Sequence, residues 1–359
     1  MKFSLKTLSF ILCAAVVSAL FPFFACNAGG QAHFTAFNKT AVTVQSRNKT
    51  LSDGAAEKIR DFLFSLNAEF SATETESAVY KINAAAAGEE TEISERFLYV
   101  AETCGEMRDF TENRFDPSVY PLTLLWKFAP DYPAADFAVP SESRIAQTLA
   151  LVGYDNFSFG KAAVKSVSGA KIDFGGALKG YAADKIAEIM KDDGVTEGFV
   201  NVGGSSLYII SADNLSVVHP RKDGAILKIK IKDRDLSVST SGDYEKNYEK
   251  DGEIYSHIID PVNGYPQNTG VASATVIGKN GLKLDALTTA MCLFKHDFDA
   301  PENGELYKFM RKITELREYG DAQIFAVCID GDKKQILTNK KQGEDFTLLD
   351  DGYTVVYLT

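Results

Sequence analysis

The stretch KIDFGGALKGYAAD, Lys171 to Asp184, places two glycines between a short apolar run and a helical pattern. Ala170 to Phe174 reads as a strand, and Leu178, Ala182, Ile186, Ile189 and Met190 recur at helical spacing until Gly194. Gly175 and Gly176 therefore stand at a helix entry, where the first backbone N–H groups lack intrahelical partners and the dipole adds roughly +0.5 charge. Such an entry favours a phosphate, and Lys179 and Asp173 add one charge of each sign at its mouth. An ordinary tight turn explains the same residues.

A second stretch, LDALTTA from Leu284 to Ala290, sets Asp285 and Thr289 four apart on a helical pattern. That spacing stacks a carboxylate and a hydroxyl on one face, and both are hard oxygen ligands suited to Mg²⁺. The competing reading is a carboxylate drawn to the helix start, with Thr289 bonded back to its own helix. A third stretch, Ser237 to Pro266, supplies the hydroxyls of STSG and places His257, one of four histidines, in SHIIDP ahead of Asp260. Histidine is a general base suited to neutral pH, although a lone strand histidine also serves as a structural hydrogen bonder. With so few histidines and no CxxC, a zinc site is not expected. In ENRFDPSVYPLTLLWKF, Glu112 to Phe128, the residues Phe115, Asp116 and Tyr120 lie near the only tryptophan. They suit either a planar ligand or a core.

These residues need elements to position them. Helical patterns run over Asp53 to Leu66, Ser94 to Phe110, Ser141 to Val152, Leu178 to Lys191, Leu282 to Phe294 and Glu305 to Glu318. Strand patterns fall at Ala41 to Gln45, Gly198 to Val202, Ser206 to Ile210, Ile226 to Ile231, Leu236 to Ser239, Ile254 to Ile259, Val271 to Ile277, Ile324 to Ile329 and Gln335 to Thr338. Asp251-Gly252 and Asp330-Gly331 read as hairpin turns. Hairpins mixed with helical crossovers indicate an α+β fold with mixed, largely antiparallel sheets and flanking helices. The Gly-Gly turn is not GxGxxG, so dinucleotide binding of the Rossmann kind is not supported.

Lys2 and Lys6, an apolar run from Leu8 to Ala25 and then Cys26 read as an export signal over residues 1–25. A retained membrane anchor and cleavage after Ala28 are the alternatives. Residues 26–33 read as a tether, loose over 27–33, and 34–359 as one α+β body. Removing residues 1–25 takes two lysines and no acids, lowering the net charge from −11 to −13. Nucleic acid and anionic membrane surfaces repel such a body, and an anionic ligand needs a metal, a lysine or a helix end. Cys104, Cys292 and Cys328 are too widely spaced for a disulfide framework; the last two, in TAMCLF and IFAVCI, read as buried thiols.

In this order the segments resemble the ApbE-like flavin transferases. The resemblance runs from FSATETESAVYKIN through RFDPSVYPLTLLWKF, LVGYDNF, KIDFGGALKGYAAD, FVNVGGSSLYI, VVHPR, STSGDYEKNYEKDGEIYSHIIDPVNGYP and ATVIG to DALTTA. It implies a T-fold-like architecture with the active site in a cleft between two subdomains, and transfer of FMN from FAD to a threonine of a partner flavoprotein, with AMP released. It implies a Mg²⁺ site of Asp285, Thr289 and the Gly176 carbonyl, and a flavin nucleotide held by Arg114, Phe115, Asp116, Asp173, Lys179 and His257. His257 is the expected base, with Asp285 or Asp260 behind it. Cys26 resembles the lipidated cysteine of bacterial lipoproteins, which implies a periplasmic chain anchored to the inner membrane. The implied acceptor carries a Ser/Thr-Gly-Ala-Thr type motif, which this chain lacks. The family's Met-Gly-Thr corresponds to Asn38-Lys39-Thr40, and the tyrosine of its Ser-x-Tyr segment to Thr73. The alternatives are a Mg²⁺-dependent FAD diphosphatase and a non-catalytic FAD-binding lipoprotein.

Overall fold

A computed structural model describes residues 29–36, 39–129, 137–167 and 169–359. The export signal, Cys26 and Asn38 lie outside the described residues. The strands are β1 (Gly30–Ala36), β2 (Thr40–Ser46), β3 (Thr91–Glu92), β4 (Phe157–Phe159), β5 (Ala163–Ser166), β6 (Gly198–Val202), β7 (Ser206–Ser211), β8 (Asn214–Val218) and β9 (Ala225–Lys230). They continue as β10 (Leu236–Gly242), β11 (Asn247–Lys250), β12 (Glu253–Ser256), β13 (Val271–Gly278), β14 (Gln323–Asp330), β15 (Lys333–Thr338), β16 (Phe346–Leu348) and β17 (Thr354–Tyr357). The helices are α1 (Asp53–Phe70), α2 (Ala78–Ala84), α3 (Glu95–Phe110), α4 (Tyr120–Leu125), α5 (Glu142–Leu149), α6 (Leu178–Asp192), α7 (Gly281–Met291) and α8 (Glu305–Glu315).

The principal sheet has the order β1-β2-β6-β7-β10-β13-β14-β15-β17, antiparallel throughout except for the parallel β15/β17 pair. The α+β expectation therefore holds. α6 and α7 pack side by side across β6, β7, β10 and β13, because their apolar residues Ile186, Met190, Leu284, Leu287 and Met291 need a partner face. The opposite face, through Leu207, Val238, Ile277 and Phe325, buries Ile226, Leu227 and Phe346 of a small sheet ordered β16-β9-β8. A third cluster gathers Leu122, Trp126, Phe128, Ile145, Tyr248 and Ile259 behind the β11/β12 hairpin. The hairpin turns at Asp251 and Gly252, both at positive φ, as the Asp-Gly signal requires.

Two local expectations are corrected. Residues 30–33, expected to be loose, belong to β1, where GQAHFTA pairs in antiparallel register with β2 from Gly30↔Ser46 to Ala36↔Thr40. Ala170–Phe174 is not a strand. The Asn83 side chain accepts from the Ile172 N–H at 2.7 Å and donates to its carbonyl at 2.9 Å, while Asp173 N–H reaches the Pro117 carbonyl at 2.9 Å. A side-chain amide thus does the pairing that a neighbouring strand would otherwise do.

Candidate active site

The site forms where α6 and α7 cross, and small residues allow the crossing. A Cβ added to Gly180 would overlap the Gly281 carbonyl, and one on Gly281 would overlap the Gly180 carbonyl. Asp184 secures the contact by accepting from Gly281 N–H and Ser237 Oγ, each at 2.7 Å. Burial pushes its pKa up to about 6, against those two hydrogen bonds.

The entry of α6 has no side-chain cap from its own N-terminal residues. Asp285 of α7 supplies one: its Oδ2 accepts the Gly180 N–H at 3.2 Å, and its Oδ1 accepts Ser206 Oγ at 3.1 Å. Asp285 is 2 % exposed, and burial raises its pKa against the pull of Lys179 and these bonds. The helix entry that the sequence presents as a phosphate cradle is thus already partly occupied by a protein carboxylate.

Thr289 lies one turn beyond Asp285, with its hydroxyl 3.1 Å from the Asp285 carbonyl and 3.5 Å from the Gly176 carbonyl. Both readings of this residue therefore hold at once: the hydroxyl is bonded back to its helix and also faces the Gly-Gly turn. Gly176 has negative φ, so conformational freedom does not explain it. A Cβ there would sit 3.3 Å from the Phe115 ring and 3.6 Å from Thr289 Oγ1, so a side chain at this position would have to push the Phe115 ring aside. Asp285, Thr289 and the Gly176 carbonyl make an all-oxygen donor set with one negative charge, which fits a hard divalent cation that keeps several waters. Among the described residues no three His, Cys, Asp or Glu side chains gather for a metal.

Lys179 is the electrostatic centre of the cleft. Burial works to lower its pKa, but Asp285, Glu245 and Asp173 outweigh it and raise the value, so the amine is charged at neutral pH. Its stem passes Gly203. Asp173 is raised by burial, opposed by the Gly175 N–H at 3.1 Å and by Lys179. His257, just after β12, donates Nδ1–H to the Lys246 carbonyl at 3.0 Å, because a carbonyl can only accept. Its Nε2 therefore carries the lone pair. Burial, then Lys179, push this ring down to about 4.

The RFD turn is placed differently. Arg114 is tied to Asp260 and, at 3.6 Å, to Glu305, with its guanidinium 5.6 Å from the Phe294 ring centre. Asp116 caps the following turn through Ser118 N–H at 2.7 Å and Ser118 Oγ at 2.6 Å. Phe115 and Tyr120 are buried, and Trp126 donates to the Gly264 carbonyl at 2.9 Å, so this aromatic group is core. Asp260 also accepts from Val262 N–H and Asn263 Nδ2, each at 2.8 Å, which leaves it a turn-forming acid.

The structure thus brings together Asp173, Gly176, Lys179, His257, Asp285 and Thr289, and gives Arg114 and Asp116 internal partners. Sequence reasoning missed Ser206 and the Gly180/Gly281 pair. Ser206 becomes distinguishable from other serines only by the Asp285 carboxylate that it meets. Cys104, Cys292 and Cys328 are free and buried, as read for the last two.

Comparison with known proteins identifies the family. Residues 38–299 match the model of the ApbE family. The chain is 28 % identical over 240 residues to the FAD:protein FMN transferase of Vibrio cholerae, covering 65 % of this chain and 71 % of that protein. It is 27 % identical over 245 residues to that of Escherichia coli K12, covering 66 % and 69 %. The ApbE protein of Thermotoga maritima superposes with a TM-score of 0.71 at 30 % identity, covering 84 % of this chain and 94 % of that one. The flavinyl transferase ApbE of Pseudomonas stutzeri shares the fold, with a TM-score of 0.72 at 22 % identity over 87 % and 95 %. The chain belongs to the ApbE family.

Proposed function

We propose that this chain is an FAD:protein FMN transferase, which moves FMN from FAD to a threonine hydroxyl of a partner flavoprotein and releases AMP. The observation that carries this reading is the convergence of Gly176, Lys179, Asp285 and Thr289 on one cleft in a chain of this family. Lys179, held protonated by three carboxylates, attracts the FAD diphosphate and takes up charge as the phosphorus is attacked. Asp285, Thr289 and the Gly176 carbonyl would hold Mg²⁺. When bound, such an ion neutralises the diphosphate and steadies the leaving phosphate. Ser206 and the Gly180 N–H fix the Asp285 carboxylate before any ligand arrives.

A threonine hydroxyl needs a proton acceptor. His257 presents Nε2, but at about 4 its pKa makes it a neutral hydrogen-bond acceptor and a weak base. Asp173, Arg114, Phe115 and Asp116 complete our proposed flavin-nucleotide wall, the last two by shaping the turn against Gly176.

Incubating the purified chain with FAD, Mg²⁺ and a domain bearing a Ser/Thr-Gly-Ala-Thr motif should add the mass of FMN to that domain, and EDTA should stop it. Steady AMP release without acceptor would instead favour the diphosphatase reading. FAD binding without turnover under any metal condition would favour the non-catalytic one. We propose further that the chain is exported and lipid-anchored through Cys26 on the periplasmic face of the inner membrane, supported by Lys2, Lys6 and the apolar run before Cys26. Labelled fatty acid should enter the wild-type chain and not Cys26→Ser.

A further inference from the structure

Strand β10 packs against α6 and α7, and its sequence SVSTSG puts a serine on the helix-facing side at every second position. Ser237, Ser239 and Ser241 are all buried. Ser237 donates to Asp184 at 2.7 Å, and Ser239 stands opposite Ser206, the residue that donates to Asp285. Ser241 reaches two hydroxyls of α7, with its Oγ 2.9 Å from Thr288 Oγ1 and 3.4 Å from Thr289 Oγ1.

Each hydroxyl carries one hydrogen, and that fixes the direction of these contacts. Thr288 Oγ1 lies 3.0 Å from the Asp285 carbonyl, which can only accept, so the Thr288 hydrogen goes there. Ser241 is then the donor to Thr288, and its lone pairs are left for Thr289. The Thr289 hydrogen has three acceptors in reach: the Asp285 carbonyl at 3.1 Å, Ser241 Oγ at 3.4 Å and the Gly176 carbonyl at 3.5 Å. The Asp285 carbonyl already takes the Thr288 hydroxyl and, four residues back in α7, the Thr289 N–H, which fills both its lone pairs. A hydrogen aimed at the Gly176 carbonyl would stand between the two oxygens that we assign to a cation. Ser241 Oγ is the acceptor that conflicts with neither.

We propose that Ser241 is a positioning residue of the cation site, a role that rests on the Mg²⁺ reading above. It accepts the Thr289 hydrogen, so that the Thr289 oxygen turns a lone pair toward the side of the Gly176 carbonyl. The contacts then form one directed chain, from Thr289 to Ser241 to Thr288 to the Asp285 carbonyl, which joins two of the three cation-holding residues through the sheet beneath them. Thr288 is fully buried and Ser241 nearly so, which shields the chain from competing water. Outer partners that orient a ligand in this way are typically worth about 10- to 100-fold in metal affinity.

The test uses Mn²⁺ as the probe, its binding to the purified chain followed by electron paramagnetic resonance with and without FAD. Ser241→Ala should weaken Mn²⁺ binding by about 10- to 100-fold and raise the Mg²⁺ concentration needed for half-maximal FMN transfer in proportion. Adding Thr288→Val to Ser241→Ala frees the Asp285 carbonyl to take the Thr289 hydrogen, and should restore part of the lost affinity. Wild-type Mn²⁺ affinity in Ser241→Ala would overturn the assignment. So would no recovery, or a further loss, in the double variant. A fall in FAD affinity in EDTA as large as the fall in Mn²⁺ affinity would also overturn it, since Ser241 would then only support the cleft. A wild-type chain that binds no divalent cation defeats the Mg²⁺ reading and this assignment together. A wild-type chain that binds Mn²⁺, loses it in Ser241→Ala and transfers no FMN defeats the transferase reading alone.

Discussion

The two walls of the cleft are built in opposite ways. On the helical wall, α6 and α7 meet backbone to backbone at Gly180 and Gly281, and Asp285 is bonded to both its own neighbourhood and the facing helix. On the hairpin wall, His257 follows β12 and is tied through the Lys246 carbonyl to the loop between β10 and β11, which Arg221 and the Phe128 carbonyl hold beside an aromatic cluster. The first wall couples its chemical groups to the stability of the core. The second separates them from it. Charge stabilisation needs groups that do not reorganise, whereas a proton acceptor needs a free lone pair that an incoming hydroxyl can reach.

That contrast can be broken at its strongest point. Gly180→Val should force α6 and α7 apart, costing roughly 1–3 kcal/mol or more and removing transfer activity together with stability, as thermal unfolding and the FMN assay would show. If the variant keeps both, the glycine crossing does not hold the site. Asp285→Ala should lower transfer by at least about 10²- to 10³-fold, with the fold retained by circular dichroism. A variant that still transfers FMN at near wild-type rate would remove Asp285 from the site. Lys179→Gln should weaken FAD binding by roughly tenfold, corresponding to about 1.4 kcal/mol, and titration of flavin fluorescence reads this directly.

On the hairpin wall, Arg221→Ala frees Asp243 and should slow transfer while changing stability by only about 0.2–1 kcal/mol, since the pair is partly exposed. A large stability loss there would erase the distinction between the walls. A last effect concerns pH. Because the folded pKa of Asp184 is raised to about 6, its stabilising contribution is present below pH 4 and lost as pH rises through 6. The melting temperature of Asp184→Asn relative to wild type should therefore rise between pH 4 and pH 7. A flat difference would show that Asp184 is not perturbed in this way.

Much of this was legible in one dimension. The periodicity of α1, α3, α6, α7 and α8, the strands β6, β7, β9, β10 and β12 to β15, and the Asp-Gly hairpin all follow from local rules, because one buried face imposes its period on the residues. The Asp285/Thr289 pair was visible for the same reason, since helical spacing puts both on one face. The strand at Ala170–Phe174 was misread because an Asn83 side chain, distant in sequence, satisfies that backbone. β1 was missed because the inward residues of GQAHFTA, although they alternate with polar ones, are mostly small, and the strand is defined by its pairing with β2.

By itself the sequence determined the α+β class, the hydrophobic faces, the oxygen pair on α7 and, through an ordered series of segments, the ApbE resemblance. Tertiary structure alone decided that Asp285 caps the facing helix, that Arg114 and Asp116 turn to internal partners, and that His257 turns Nδ1 to the Lys246 carbonyl. The physical reason is one of range. Periodicity and capping act over a few residues, whereas the state of a carboxylate depends on burial and on charges brought from elsewhere in the chain.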